Sequence, residues 1–147
     1  MEIHDPNLHR RLIEMCDCYL GTDYPAAIQK IADSPSENLE EDALRYLALA
    51  LLHGINAEAS QFSLKRKNEK ITATIKHDAE KTALRPPSRR LFTAIIATVR
   101  AILHLDEDKG ALPLALGLKN DQIDLLAKIE RTGDKESLKI KLPQHDR

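Results

Sequence analysis

Cys16 and Cys18 stand one residue apart with His4 and His9 upstream, and thiolate with imidazole is the ligand chemistry of a structural zinc site. The spacing argues against that use. Alternate positions on a helix point in diverging directions, and no second Cys or His pair follows downstream. The burial preference of cysteine favours one core thiol and one incidental one. The two are also too close on a helix to bridge each other, which suits a reducing compartment. No metal and no cofactor is expected.

The other histidines, His53, His77, His104 and His145, are scattered without ligand spacing. His53 and His104 fall near the ends of two long helical stretches, where a histidine interacts favourably with terminal carbonyls; general-base catalysis would need a partner in reach. Glu40-Glu41-Asp42 precedes a helical stretch and complements its positive terminus. Asp106-Glu107-Asp108 sits at a helix end, where that explanation has the wrong sign. Three consecutive carboxylates lack the spacing of an EF-hand loop, so they read as a solvated turn. The chain contains no Gly-x-x-x-x-Gly-Lys-Ser/Thr loop, no Gly-x-Gly-x-x-Gly turn and no Gly-x-Ser-x-Gly elbow. No catalytic residue is assigned, and the expectation is that the protein is not an enzyme.

The elements that position side chains follow from periodicity. Asp5-Pro6 reads as a helix start, with Leu8, Leu12, Met15, Cys16 and Tyr19 on one face before Gly21. A shorter helix begins at Asp23 with Pro25 in its first turn and ends near Ser34-Pro35. Asn38 with Glu41 resembles a capping box, and Leu44, Leu47, Ala48, Leu51, Leu52 and Ile55 continue at helical spacing. Gly54, near that helix's end, marks a kink or a close packing contact.

From Phe62 the period changes to two. Phe62 and Leu64, then Ile71, Ala73 and Ile75, alternate with polar residues around a Lys67-Asn68-Glu69-Lys70 turn, which reads as a hairpin. Pro86-Pro87 and Ser88 introduce a second long helix, the fourth in all, with Phe92, Ile95, Ile96, Val99, Ile102 and Leu103 on its face, ending by Asp106 to Gly110. Ala111 to Asn120 mixes Pro113 and Gly117 with leucines and reads as a partly buried loop or short strand. A second hairpin follows from Ile123, Leu125, Ala127 and Ile129 to Leu138, Ile140 and Leu142 across Thr132-Gly133-Asp134-Lys135. A helix over Asp121 to Arg131 competes, but the alternation continues through both arms.

Residues 38 to 76 and 88 to 142 thus read as one unit written twice, helix then hairpin. The expected fold is a single α+β domain over residues 1 to 147. Residues 1 to 36 form a helical N-terminal extension. The core over residues 38 to 142 consists of two α-β-β units, whose four strands form an antiparallel sheet with helices on one face. The length and the 42% hydrophobic content suffice for one core. With aromatics at 3% and no Trp, that core is aliphatic, and any binding surface lacks stacking platforms.

If the apolar residues of the strands face the helices, the opposite face gathers Lys65, Lys67, Lys70, Lys76, Lys128, Lys139 and Lys141, with Thr72 and Thr74 between them. Such lysines contact phosphates and release counterions, as in nucleic-acid binding, or simply form a solvated face. Net charge is −1, yet residues 1 to 45 hold ten acidic and four basic side chains against thirteen and eighteen beyond, an asymmetry that can orient a partner. The longest apolar run, Tyr46 to Leu52, is far below the ~18 residues of a membrane span. With no basic-then-apolar leader, the protein is expected to be cytoplasmic.

Ala59-Ser60-Gln61-Phe62-Ser63-Leu64, Ile71 to Ile75, Leu112-Pro113, Ile123-Asp124-Leu125 and Gly133-Asp134-Lys135 follow an order that resembles the N-terminal (N2-like) domain of type II secretion and type IV pilus assembly ATPases. In that family a helix ending in Ala-Ser precedes a strand and hairpin, then come a second helix, a Leu-Pro loop, an Ile/Val-Asp-Leu strand and a Gly-Glu-Lys turn. Where the family has Asp-Ile-His, an Arg-x-Asp-Gly hairpin end and an Arg after the Asp-Leu strand, this chain has Gln61-Phe62-Ser63, Lys76-His77-Asp78 and Leu126. The resemblance therefore implies the family's scaffold without its polar contacts to nucleotide and motor domain. It implies a non-catalytic protein-interaction or assembly module, with a motor ATPase or a second copy of the chain as partner. Lys65, Lys67, Lys76, Lys128, Lys139 and Lys141 are the candidate partner-binding residues. The alternative is a nucleic-acid-binding protein using the same lysine-rich sheet face.

Overall fold

Side-chain caps set the starts of three of the four helices among the described residues. In the computed structural model, which describes residues 7–118 and 121–143, α1 spans Leu8–Tyr19 and buries Leu8, Leu12 and Cys16. The Asp5-Pro6 start expected for it lies outside the described residues. Asp23 accepts a hydrogen bond from the Ala26 N–H (3.2 Å) and Pro25 occupies the first turn, so α2 runs Tyr24–Asp33. Asn38 and Glu41 cap α3, Leu39–Asn56, reciprocally: the Glu41 N–H donates to Asn38 Oδ1 (3.0 Å) and Asn38 Nδ2 to Glu41 Oε2 (3.4 Å). Ser88 caps α4, Arg89–Leu103, through the Leu91 N–H (3.2 Å). His104, at φ 54°, closes that helix in the left-handed region, two residues ahead of the acidic turn.

The strands are β1 (Gln61–Lys67), β2 (Lys70–His77), β3 (Glu80–Leu84), β4 (Lys109–Leu118), β5 (Asp121–Thr132) and β6 (Lys135–Lys141). They form one six-stranded sheet in the order β3-β2-β1-β6-β5-β4, every neighbouring pair antiparallel. The α+β class is as expected, but two features differ. The sheet has six strands rather than four, because residues 80–84 and 109–118 are strands. Each unit is accordingly a helix with three strands, not α-β-β.

Nor are the units copies of one another. Both meanders progress across the sheet in the same direction and keep their helices on one face, but β1 and β4, the first strand of each, run in opposite directions. No rotation superposes two such arrangements. The periodic likeness is therefore a likeness of local pattern, not of tertiary structure.

The helices and one face of the sheet enclose a single core. Phe62, Leu64, Ala73, Ile75, Leu114, Leu116, Leu125, Ala127, Ile129, Leu138 and Ile140 alternate into it and meet fully buried Tyr46, Leu47 and Leu51 of α3 and Phe92 and Ile95 of α4. Tyr46 brings a polar atom, and its hydroxyl donates to the Arg85 carbonyl (2.6 Å). Gly54 is a close-packing position. A Cβ there would stand 2.5 Å from Leu142 Cδ1, so the end of α3 sits directly on the residue after β6.

Candidate functional site

Alternation that sends the large apolar side chains to the core sends their neighbours to a face that no helix of the described residues covers. The register lays that face out in rows. Lys65 of β1 stands between Thr72 of β2 and Ser137 of β6, and Ser63 between Thr74 and Lys139. Lys139 in turn opposes Lys128 of β5, and Lys141 stands beside Gln61 and Leu126. Lys67 lies between Lys70 and Lys135, and Lys76 opposes Lys81 of β3. All six candidate lysines, Lys65, Lys67, Lys76, Lys128, Lys139 and Lys141, thus share this face, as does Lys70.

Three lysines escaped the sequence reading. Lys81 lies on a strand it left out, Lys109 just ahead of the segment it read as a partly buried loop or short strand, and Lys135 begins β6 at the same parity as Lys139 and Lys141, a signal that could have placed it. The total is ten of the chain's twelve lysines. The carboxylates among them are Glu130, opposite Lys109, and Asp124, opposite Ala115.

Cations of the two kinds are sorted. Arginines make ion pairs on the helical side and around the sheet: Arg11 with Glu40 (2.8 Å), Arg45 with Glu41 (2.6 Å), Arg85 with Asp33 (2.7 Å), Arg89 with Glu69 (2.6 Å) and Arg131 with Asp108 (2.8 Å). Among the described residues no lysine makes an ion pair. Directly opposed lysines repel, and such like-charge pairs destabilise a sheet. Burial, then the charges of Lys139 and Lys81, hold the Lys65 ammonium below its usual pKa.

The face is not flat. Small residues at Gly110, Ala111 and Ser137 leave a concavity of about 500 Å³ over β4, β5 and β6, walled by Lys109, Lys128, Lys139 and Lys141 with Gln61 and Glu130. Ser63, although on the uncovered side, is buried beneath its neighbours and accepts a hydrogen bond from Gln61 Nε2 (2.9 Å).

Groups that raised other chemistry are dispersed. Cys16 is buried, with its thiol pushed up to about 12 by burial and then by Asp17, while Cys18 is exposed. His9 contacts the Ala115 carbonyl across from β4; His53, beside the Tyr24 ring, is held below its usual pKa by burial against the opposing pull of Asp23. His104 is a helix cap, His77 pairs with Asp78 at the surface, and His4 and His145 lie outside the described residues. Among the described residues no three His, Cys, Asp or Glu side chains are placed to hold a metal ion. In the acidic turn Asp108 is engaged by Arg131, and Arg100 donates to the carbonyls of Leu105 and Glu107.

The edge strand β4 is partly blocked. The Arg131 N–H bonds to the Asp108 carbonyl, which fixes the pairing so that residues 111, 113 and 115 turn their backbone groups outward. Pro113 has no N–H to offer there, and His9 occupies the carbonyl of Ala115. Among the described residues no helix is long and apolar enough to cross a membrane. No protein-family model matches this chain, and a search of curated proteins returns no match.

Proposed function

We propose that the chain is a non-catalytic interaction or assembly module that docks an anionic partner on its uncovered sheet face in the cytoplasm. The observation that carries this reading is the concentration of ten lysines, without an ion pair among the described residues, on one sheet face. Opposed lysines raise the energy of the free protein, and an anionic partner relieves that repulsion on binding. A module similar to the accessory domain of a secretion ATPase would meet an acidic segment of a motor ATPase, or the acidic N-terminal helices of a second copy. Ala59-Ser60 between α3 and β1 and Gly133-Asp134 at the β5–β6 turn support that kinship, whereas Leu112-Pro113 stands in a strand where the family has a loop.

The test is affinity capture from native cytoplasm, followed by direct binding of the recovered protein to the purified chain. The reading expects that protein to be lost when Lys65, Lys67, Lys139 and Lys141 are replaced by Ala. Undiminished binding to the fourfold variant sinks it.

Nucleic-acid binding is the second reading, and the segregation of lysine from arginine favours it. Protein interfaces are enriched in Arg and aromatic residues and depleted of Lys, whereas hydrated ammonium groups suit phosphates without reading bases. Binding would then track the backbone, not the sequence. Retention on a mixed RNA or DNA pool should weaken steeply with salt, each lost lysine contact lowering the log–log slope by about one. No retention at low salt ends this reading.

A further inference from the structure

We infer that the concavity over β4, β5 and β6 is a discrete seat for an oligophosphate, a ligand carrying two or more linked phosphate groups. This rests on the reading of the sheet face as anion-binding, but it adds that one place on the face is built for such a ligand while the rest is not.

The seat's size and wall chemistry point the same way. About 500 Å³ falls within the range of small-molecule sites, and its small floor residues give it depth that the surrounding rows of long side chains lack. Lys128 and Lys139 oppose each other across β5 and β6, so their Cβ atoms are ~5 Å apart. Lys141 lies two residues along β6 from Lys139, ~6.8 Å on the same side. Three lysines therefore start from neighbouring positions and line the same concavity, and Lys139 is already half-buried.

Lys109 stands directly opposite Glu130 on the neighbouring strand, so a carboxylate lies beside this lysine at one end of the concavity. The uncompensated charge is concentrated at the Lys128, Lys139 and Lys141 end, where Gln61, paired with Lys141, adds a neutral amide, while the Ser137 hydroxyl lies in the row of Glu130 and Lys109. From β4 to β6 the cavity spans two strand spacings, ~10 Å, more than one phosphate group fills and enough for a short chain of them. The hydroxyl-binding capacity of Glu130 lies at the other end, suited to a ligand whose polyanionic part is followed by a neutral polar one. The same linked-phosphate chemistry is supplied by a free oligophosphate or by the backbone of a nucleic acid.

The experiment is calorimetric titration of the full chain with inorganic triphosphate in metal-free buffer at fixed ionic strength. Two double variants with the same loss of charge are compared, Lys128→Ala/Lys139→Ala at the seat and Lys76→Ala/Lys81→Ala on the far strands of the same face. Since a hydrogen bond to a charged group contributes enough for a tenfold change, the seat variant should bind at least roughly tenfold more weakly, and the far variant within about twofold of the parent. Orthophosphate should bind more weakly than triphosphate.

Equal losses in the two variants would show diffuse attraction and overturn the seat, as would no triphosphate binding by the parent. Either result, with macromolecular docking intact, sinks the seat and leaves the docking function standing. Circular dichroism of each variant confirms that the comparison is between folded proteins. Competition against a single-stranded oligonucleotide then separates the sources: displacement by stoichiometric triphosphate assigns the seat to nucleic-acid backbone, and coexistence assigns it to a free oligophosphate.

Discussion

Alternate residues of the same strands build two faces of one sheet, and they obey opposite rules. On the helix side Phe62, Leu64, Leu138 and Ile140 are buried, and position matters to the level of single atoms, as at Gly54 against Leu142. On the open side Lys128 meets Lys139 and Lys76 meets Lys81, arrangements that fold stability alone disfavours. The difference teaches where selection for folding stops. One face is filled by the chain's own core; the other carries lysines that make no ion pair among the described residues.

The contrast is broken first at its strongest point. Phe62→Ala removes a fully buried ring from the centre of the covered face and should destabilise the protein by about 3–5 kcal/mol in urea denaturation followed by circular dichroism. Lys65→Ala, three residues along the same strand and on the other face, should change stability by no more than about 0.5 kcal/mol. Comparable losses at the two positions would erase the distinction between the faces. Tyr46→Phe tests the polar contact within the core. It leaves the Arg85 carbonyl without its 2.6 Å donor, which should lower stability by about 1–3 kcal/mol.

Alternation is why both faces were legible in β1, β2, β5 and β6. Apolar and polar residues exchange there at each step, so Phe62 and Lys65, or Leu138 and Lys139, are assigned to sides by parity alone. In β4 the exchange is between large and small apolar residues. Leu112, Leu114 and Leu116 face the helices and Ala111, Pro113 and Ala115 face outward, a pattern that hydrophobicity cannot distinguish from a buried loop. In β3 four of five residues are exposed and only Leu84 reaches the core, so pairing with β2, not its own pattern, makes it a strand.

Lys81 and Lys109 were lost with β3 and the start of β4, and with Lys109 went one wall of the concavity. Strand order was not legible either. The pairing of β1 with β6 joins positions 68 to 80 residues apart, and no local pattern encodes it. The opposed hand of the two units follows from that order, so likeness of period could not reveal it.

A charge reversal sharpens the comparison on the open face. Lys128→Glu converts an opposed like-charge pair into an opposite-charge one, so stability should rise by about 0.2–1 kcal/mol while anion binding falls. The gain should shrink as salt is added, since exposed charges are screened. A loss of stability would show that the lysine pair is not in repulsion.

The smallest effect is the pH dependence carried by Lys65. Burial and the nearby Lys139 and Lys81 hold its folded pKa below the ordinary 10.5. Between the lowered value and 10.5 the unfolded chain binds a proton that the folded chain does not, so stability rises with pH in that window. Cys16 and Tyr46 act in the opposite sense above their ordinary values of 9.0 and 10.0, because burial keeps both protonated in the folded state. The measurable quantity is therefore the difference between the parent and Lys65→Met across this range, from which the two core groups cancel because neither shares a contact with the open face. The parent should gain stability relative to the variant as pH rises toward 10.5. A difference that stays flat would place Lys65 in free solvent and remove the charge crowding that distinguishes this face from an ordinary solvated one.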